Sequence, residues 1–132
     1  TLDLRRGRHC IFALNVYLVF VTKYRRSIFT DEHLMTIRAS DEKVCGDFGA
    51  CLREFNGERN HVLLLVSYPP KVSISSLVNS LKGVTSRILR NKFPELETSY
   101  CKGKLWSPSY FAASCGGAPL EKLKVYIESQ SA

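Results

Sequence analysis

The chain has 132 residues, enough for one hydrophobic core and too few for two ordinary domains. Nineteen Lys and Arg against twelve Asp and Glu give a formal charge of +7 and an isoelectric point near 9.3, an excess that favours a polyanionic partner, nucleic acid before membrane. No apolar run approaches the length of a membrane span, the opening Thr1 to Arg6 lacks the apolar stretch of a secretory signal, and the five cysteines include no C-x-x-C pair. These features exclude a helical membrane protein and point away from a disulfide framework or a structural zinc site, so a reducing, cytoplasmic setting is expected.

From residue 10 to residue 21, Cys10, Phe12, Leu14, Val16, Leu18 and Phe20 recur at period two, with Ile11, Ala13, Val19 and Val21 apolar on the other face; the pattern predicts one long central strand. Lys23-Tyr24-Arg25-Arg26 interrupts it. Thr30 or Asp31 is placed to cap a helix running to about Phe48, with Leu34, Ile37, Val44 and Phe48 as its buried stripe. Asp41 falls inside that stripe, so the helix is expected to be partly exposed or poorly packed there. Residues 50–55 read as a second strand, Asn56-Gly57 as a hairpin turn, and residues 60–67 as an antiparallel third strand. After Tyr68-Pro69-Pro70, Ser73 or Ser75 caps a second helix reaching about Lys92, with Leu77, Leu81, Val84 and Ile88 as its core face, and Pro94 ends it. Residues 110–115 form a fourth strand before Gly116-Gly117, and a closing helix over residues 118–131 begins at Pro119.

The order strand, helix, strand, strand, helix, strand, helix predicts an α+β fold: one domain over residues 1–132, built as a ferredoxin-like or RNA-recognition-like antiparallel sheet. Two helices cover one sheet face, and the added C-terminal helix is hinged at residues 116–117. The other face is left for a ligand or for that extra helix.

Three residues could carry chemistry on the free face. On the third strand Val62, Leu64 and Val66 alternate with His61, Leu63 and Leu65; assigning the valine side to the core leaves His61 on the open side. Tyr126 and Gln130 lie four apart and share one face of the closing helix. A tyrosine is a weak nucleophile at neutral pH unless a neighbouring group activates it. Taken singly, His61 reads equally as a hydrogen-bonded histidine at a strand end, and Tyr126 and Gln130 are ordinary helix residues.

Five segments in order change that balance: Leu18-Val19-Phe20-Val21-Thr22-Lys23-Tyr24-Arg25, Asn60-His61-Val62-Leu63-Leu64-Leu65-Val66, Leu81-Lys82-Gly83, Leu105-Trp106-Ser107-Pro108-Ser109-Tyr110-Phe111 and Tyr126-Ile127-Glu128-Ser129-Gln130. From about Arg8 to Gln130 the chain resembles the small single-tyrosine HUH transposases of the insertion-sequence 200/605 type. The resemblance implies a metal-dependent single-stranded DNA endonuclease and strand transferase acting at hairpin-marked element ends through a 5′-phosphotyrosine link. It implies Tyr126 as nucleophile, His61 and Gln130 as ligands of Mg²⁺ or Mn²⁺, and a homodimer whose tyrosine helix can complete the partner's site. The family motif is His-hydrophobic-His, and Leu63 stands at its second histidine; Tyr17 also stands where many relatives carry a histidine.

Basic residues interleaved with aromatics supply a candidate DNA surface: Lys23, Tyr24, Arg25 and Arg26 after the first strand, Lys82, Arg87, Arg90 and Lys92 on the second helix, and Lys102, Lys104 and Trp106 before the fourth strand. Part of the helix set reads equally as a solvated face, and Trp106 as core. Leu63 keeps a second expectation open, a catalytically inactive relic or domesticated protein that binds hairpin or single-stranded nucleic acid. A third, an independent RNA-recognition module, would need stacking aromatics on both central strands; Tyr17 offers one, while Val19 and Leu63 do not complete the set.

Overall fold

A computed structural model of the chain describes residues 5–6, 11–12, 14–99, 104–114 and 120–130. Its main sheet has four strands, β3 (Asn15–Val21), β4 (Cys51–Gly57), β5 (His61–Ser67) and β6 (Phe111–Ser114), in the order β4-β5-β3-β6 with every pairing antiparallel. This is the split β-α-β arrangement expected from the sequence. The helices are α1 (Asp31–Asp47), α2 (Ile74–Lys92) and α3 (Leu120–Ser129).

Period-two alternation sorts β3 and β5 into two faces. Val16, Leu18 and Phe20 of β3 join Val62, Leu64 and Val66 of β5 in a core with Ile37, Val44 and Cys45 of α1 and Leu77, Val78, Leu81 and Leu89 of α2. The helix starts follow local chemistry. The Thr30 hydroxyl accepts from the His33 amide while His33 Nδ1 accepts from the Thr30 amide, a reciprocal cap, and Ser73 accepts from the Ser76 amide.

Several expectations are corrected. The long first strand is split, because Ile11–Phe12 (β2) pairs with Arg5–Arg6 (β1) in a separate two-stranded sheet. In the main sheet the ladder with β5 begins at Asn15 and that with β6 at Val16, and one further bond, from the Tyr68 amide to the Leu14 carbonyl at 3.0 Å, extends it. Asn56-Gly57 is not the hairpin turn: both residues are paired in β4, and the chain reverses over residues 58–60, with the Glu58 amide donating to the His61 carbonyl. Gly57 serves a close approach instead, since a Cβ there would lie 2.5 Å from Leu34 Cδ2. The α2 stripe is rotated slightly, with Thr85 and Leu89 fully buried, Val84 packed against the core at its edge, and Ile88 only half-buried. Asp41 is not partly exposed; it is fully buried at 1 % relative exposure, and neither carboxylate oxygen has a hydrogen-bond partner. Cys10, Cys115, Gly116, Gly117 and Pro119 lie outside the described residues, as do Lys102 and the hinge assigned to residues 116–117.

Candidate nucleic-acid site on the open sheet face

The open face begins at the start of β5. His61 pairs with Val21 and Leu63 with Val19, so both side chains share the face opposite the helices. His61 Nδ1 lies 2.7 Å from Asn60 Oδ1. An amide oxygen only accepts, so this contact places the ring proton on Nδ1 and leaves the Nε2 lone pair free. Half-burial lowers the pKa of His61, opposed by the negative charge of Glu58, and favours that neutral, ligand-ready form.

A loop from β3 and a loop before β6 are stitched to this strand end. The Thr22 amide donates to the Asn60 carbonyl at 2.9 Å, the Lys23 amide to the Leu105 carbonyl at 2.8 Å, and the Ser107 amide to the Val21 carbonyl at 2.7 Å. His61, Val21 and Ser107 therefore form one row across the sheet end, with the outer backbones roughly 10 Å apart at two strand spacings. Trp106 anchors the row from below: it is buried, its Nε1 donates to Thr85 Oγ1 at 3.1 Å, and its ring meets Phe20 and Phe29 edge-on at 5.9 and 5.5 Å. On the same helix, one turn earlier, Lys82 Nζ donates to the Ser107 and Ser109 carbonyls at 2.7 and 3.1 Å.

The serine hydroxyls then hold α3. Ser107 Oγ and Ser109 Oγ both donate to Gln130 Oε1, the latter at 3.0 Å, and Ser109 Oγ lies 3.0 Å from the Tyr126 hydroxyl. Ser109 has one proton, and the amide oxygen takes it, so Tyr126 is the donor in its contact with Ser109. The Tyr126 ring lies 5.7 Å from that of Phe111, which pairs with Val19 in the row next to Leu63. Partial burial pushes the phenol pKa up, while the Ser109 hydroxyl, by turning its proton from Gln130 to a phenolate, works the other way. The helix thus meets the serine loop of its own chain, with Gln130 over the His61 row and Tyr126 over the Leu63 row.

The family model described as "Transposase IS200 like" matches residues 10–130. The chain belongs to the IS200-like transposase family. It is 27% identical over 129 residues to the ISDra2 transposase TnpA of Deinococcus radiodurans, covering 98% of this chain and 92% of that protein. It is 29% identical over 128 residues to the transposase for insertion sequence element IS200 of Salmonella typhimurium, covering 97% and 84%. A crystal structure of a transposase candidate from Deinococcus radiodurans R1 superimposes with a TM-score of 0.86 at 27% identity over 97% of this chain and 98% of that one. A REP-associated tyrosine transposase bound to a REP hairpin shares the fold, with a TM-score of 0.60 at 14% identity over 94% and 68%.

Within this IS200-like transposase the geometry sorts the expected residues. Tyr126 and Gln130 are brought together by one loop, and that loop is tied to the strand next to His61. Among the described residues no group of three or more His, Cys, Asp or Glu side chains is placed to hold a metal ion, and Leu63, on the face of His61, has no donor atom. Tyr24, Arg26, Arg87 and Lys104 are exposed, and Lys23 Nζ sits 5.2 Å from the centre of the Tyr24 ring. Tyr24 and Arg25 take left-handed backbone conformations, φ 58° and 53°, which costs an L side chain about 1–2 kcal/mol each. Lys92 bonds Thr36 Oγ1 at 3.3 Å. Two expected DNA contacts are placed elsewhere. Trp106 is a core residue with no ring face free for a base, and Lys82 points into the serine loop.

Sequence reasoning missed Ser107, Ser109 and Asn60. The available signal was Ser107-Pro108-Ser109, two hydroxyls flanking a proline that fixes the loop, directly after the only tryptophan.

Proposed function

We propose that this chain is a single-stranded DNA endonuclease and strand transferase that uses Tyr126 as its nucleophile. One observation carries the reading: a single loop holds the Tyr126 hydroxyl and the Gln130 amide, and the same loop is hydrogen-bonded to the residue paired with His61. Tyr126 Oη attacks the scissile phosphorus and gives its proton to water, while the bond from phosphorus to the 3′ oxygen breaks and that oxygen takes a proton from water. A 5′-phosphotyrosine and a free 3′-hydroxyl remain, and reversing the step on another 3′-hydroxyl rejoins the strand without nucleotide hydrolysis.

His61 and Gln130 are the residues that would hold Mg²⁺ or Mn²⁺. The imidazole fits a hard cation that keeps several waters and takes few protein ligands, its second nitrogen being already bonded to Asn60; Gln130 Oε1 accepts from Ser107 and Ser109, so it would bind the cation only by giving up one of those hydrogen bonds. When bound, such an ion polarises the phosphate as a Lewis acid. The Ser107 and Ser109 hydroxyls orient the amide and the phenol, and Phe111 packs against the tyrosine ring.

The substrate class is single-stranded DNA carrying hairpins. Support comes from the net charge of +7, from exposed Tyr24 flanked by Lys23, Arg25 and Arg26 beside the His61 end of the sheet, and from a fold neighbour described as bound to a REP hairpin. We extend the proposal to a homodimer able to exchange α3 between copies. Mixing a Tyr126→Phe chain with a His61→Ala chain tests the exchange: restored activity supports it, and no activity in verified mixed dimers opposes it. The core reading is tested by incubating the protein with labelled hairpin-bearing DNA and Mn²⁺, where a covalent protein–DNA band absent from Tyr126→Phe is expected.

A further inference from the structure

We propose that Lys82 is a positioning residue for the tyrosine attack and not a phosphate contact: from α2 it fixes the 107–109 loop, which fixes Tyr126 and Gln130. The inference rests on the proposed nucleophilic role of Tyr126 and adds a residue to it. Lys82 donates to two main-chain carbonyls, and these belong to the two residues whose hydroxyls hold the closing helix. The chain of bonds runs from Lys82 Nζ to the Ser107 and Ser109 backbones, then from their Oγ atoms to Gln130 Oε1, with Tyr126 Oη donating to Ser109.

Four features make this a built support. Two of the three ammonium donors are committed to carbonyls, in charge-assisted bonds stronger than neutral ones. The side chain is half-buried, which lowers its pKa through desolvation and marks a site partly closed to water. Thr85, three residues on and so on the same helix face, holds the Trp106 indole, so α2 grips the loop at both Trp106 and the serines. Pro108 between the serines removes one backbone freedom from the piece that is gripped. A lysine serving phosphate would instead extend its ammonium into solvent, as exposed Arg87 on the same helix is free to do.

The test compares Lys82→Met, which keeps the apolar stem and deletes the donors, with Arg87→Gln. Three quantities are read: hairpin DNA affinity against salt, the single-turnover rate of covalent adduct formation at saturating DNA with Mn²⁺, and amide hydrogen exchange of α3. For Lys82→Met the account predicts unchanged affinity and salt slope, faster exchange in α3, and an adduct rate lower by about 10²-fold, the scale of a 1 Å misplacement of reacting groups. Arg87→Gln should lower the salt slope by about 0.7 and leave α3 exchange unchanged. Ser109→Ala should reproduce the rate loss, and adding it to Lys82→Met should cost little more, because both act through one loop; it also carries the test if Lys82→Met does not fold. The proposal is overturned if Lys82→Met lowers the salt slope by about 0.7 while its rate and α3 exchange stay put, or if the two substitutions multiply. An inactive parent protein would defeat the nucleophile reading alone; α3 exchange then decides, faster exchange in Lys82→Met supporting the support role and unchanged exchange refuting it.

Discussion

Asp41 offers a prediction whose size follows from its surroundings. Its side chain is 1 % exposed in α1, both carboxylate oxygens lack partners, and burial raises its pKa well above the ordinary 3.8. A raised folded-state value means the native protein holds a proton that the unfolded chain gives up. The resulting stability is fully present below the unfolded value and is lost as pH rises toward and through the folded one. Within that window each pH unit costs one proton's worth, about 1.4 kcal/mol. Asp41→Asn removes the titration, so its stability relative to the parent should rise by about 1.4 kcal/mol per unit upward from pH 5, until the raised value is passed. The amide still carries unpartnered polar atoms, which cost about 1–3 kcal/mol, so Asp41→Leu should be more stable than Asp41→Asn at every pH unless overpacking offsets the gain. Urea unfolding at pH 5 and pH 6 measures the difference directly. Parallel behaviour of parent and Asp41→Asn across this range would refute the claim of a buried, unpaired carboxyl. Neighbouring Cys45, whose thiol is pushed up to about 12 by burial first and by Asp41 and Cys51 next, should stay unreactive toward thiol reagents in the folded protein.

Other expectations are as direct. Leu63→His adds a donor two residues from His61 on the same face, so calorimetry should register tighter Mn²⁺ binding, and an unchanged affinity would mean that the two side chains do not share a site. Trp106→Ala should destabilise by about 3–5 kcal/mol in urea unfolding, since it empties a core position and strands Thr85; selective loss of DNA affinity at full stability would contradict its core placement. Tyr24→Gly should relieve a left-handed residue and stabilise the fold by about 1 kcal/mol while weakening single-stranded DNA binding, and a variant that binds as well as the parent would remove Tyr24 from the interface.

The strand–helix order was legible because the β5 segment alternates cleanly and both core helices carry capping residues and an apolar stripe, broken by Asp41 in α1, and the face of His61 followed from the alternation once the valine side was assigned to the core. What was not legible depended on partners. The apolar run before Asn15 has the composition of a strand continuous with β3, but its Ile11–Phe12 segment pairs with Arg5–Arg6, a partner that composition does not name. Gly57 reads as a turn residue from its neighbours, whereas its role is set by Leu34 on a distant helix. Asp41 was visible as a misfit in its stripe; its complete burial depends on how α1 lies against its neighbours. That Tyr126 and Gln130 face the same way was legible from helical spacing. The loop that holds them was not, because a lysine on a basic helix looks like a phosphate contact until its ammonium is seen to turn toward two carbonyls.

The nucleophile is the centre of the account, and one measurement addresses it most directly. Parent protein and Tyr126→Phe are incubated with hairpin-bearing single-stranded DNA and Mn²⁺, and the covalent product is digested and mapped by mass spectrometry. The account predicts a phosphotyrosine at residue 126 in the parent, no adduct in Tyr126→Phe, and equal hairpin affinity in both, because only the attacking oxygen is removed. An adduct that persists in Tyr126→Phe, or one mapped to another residue, would contradict it.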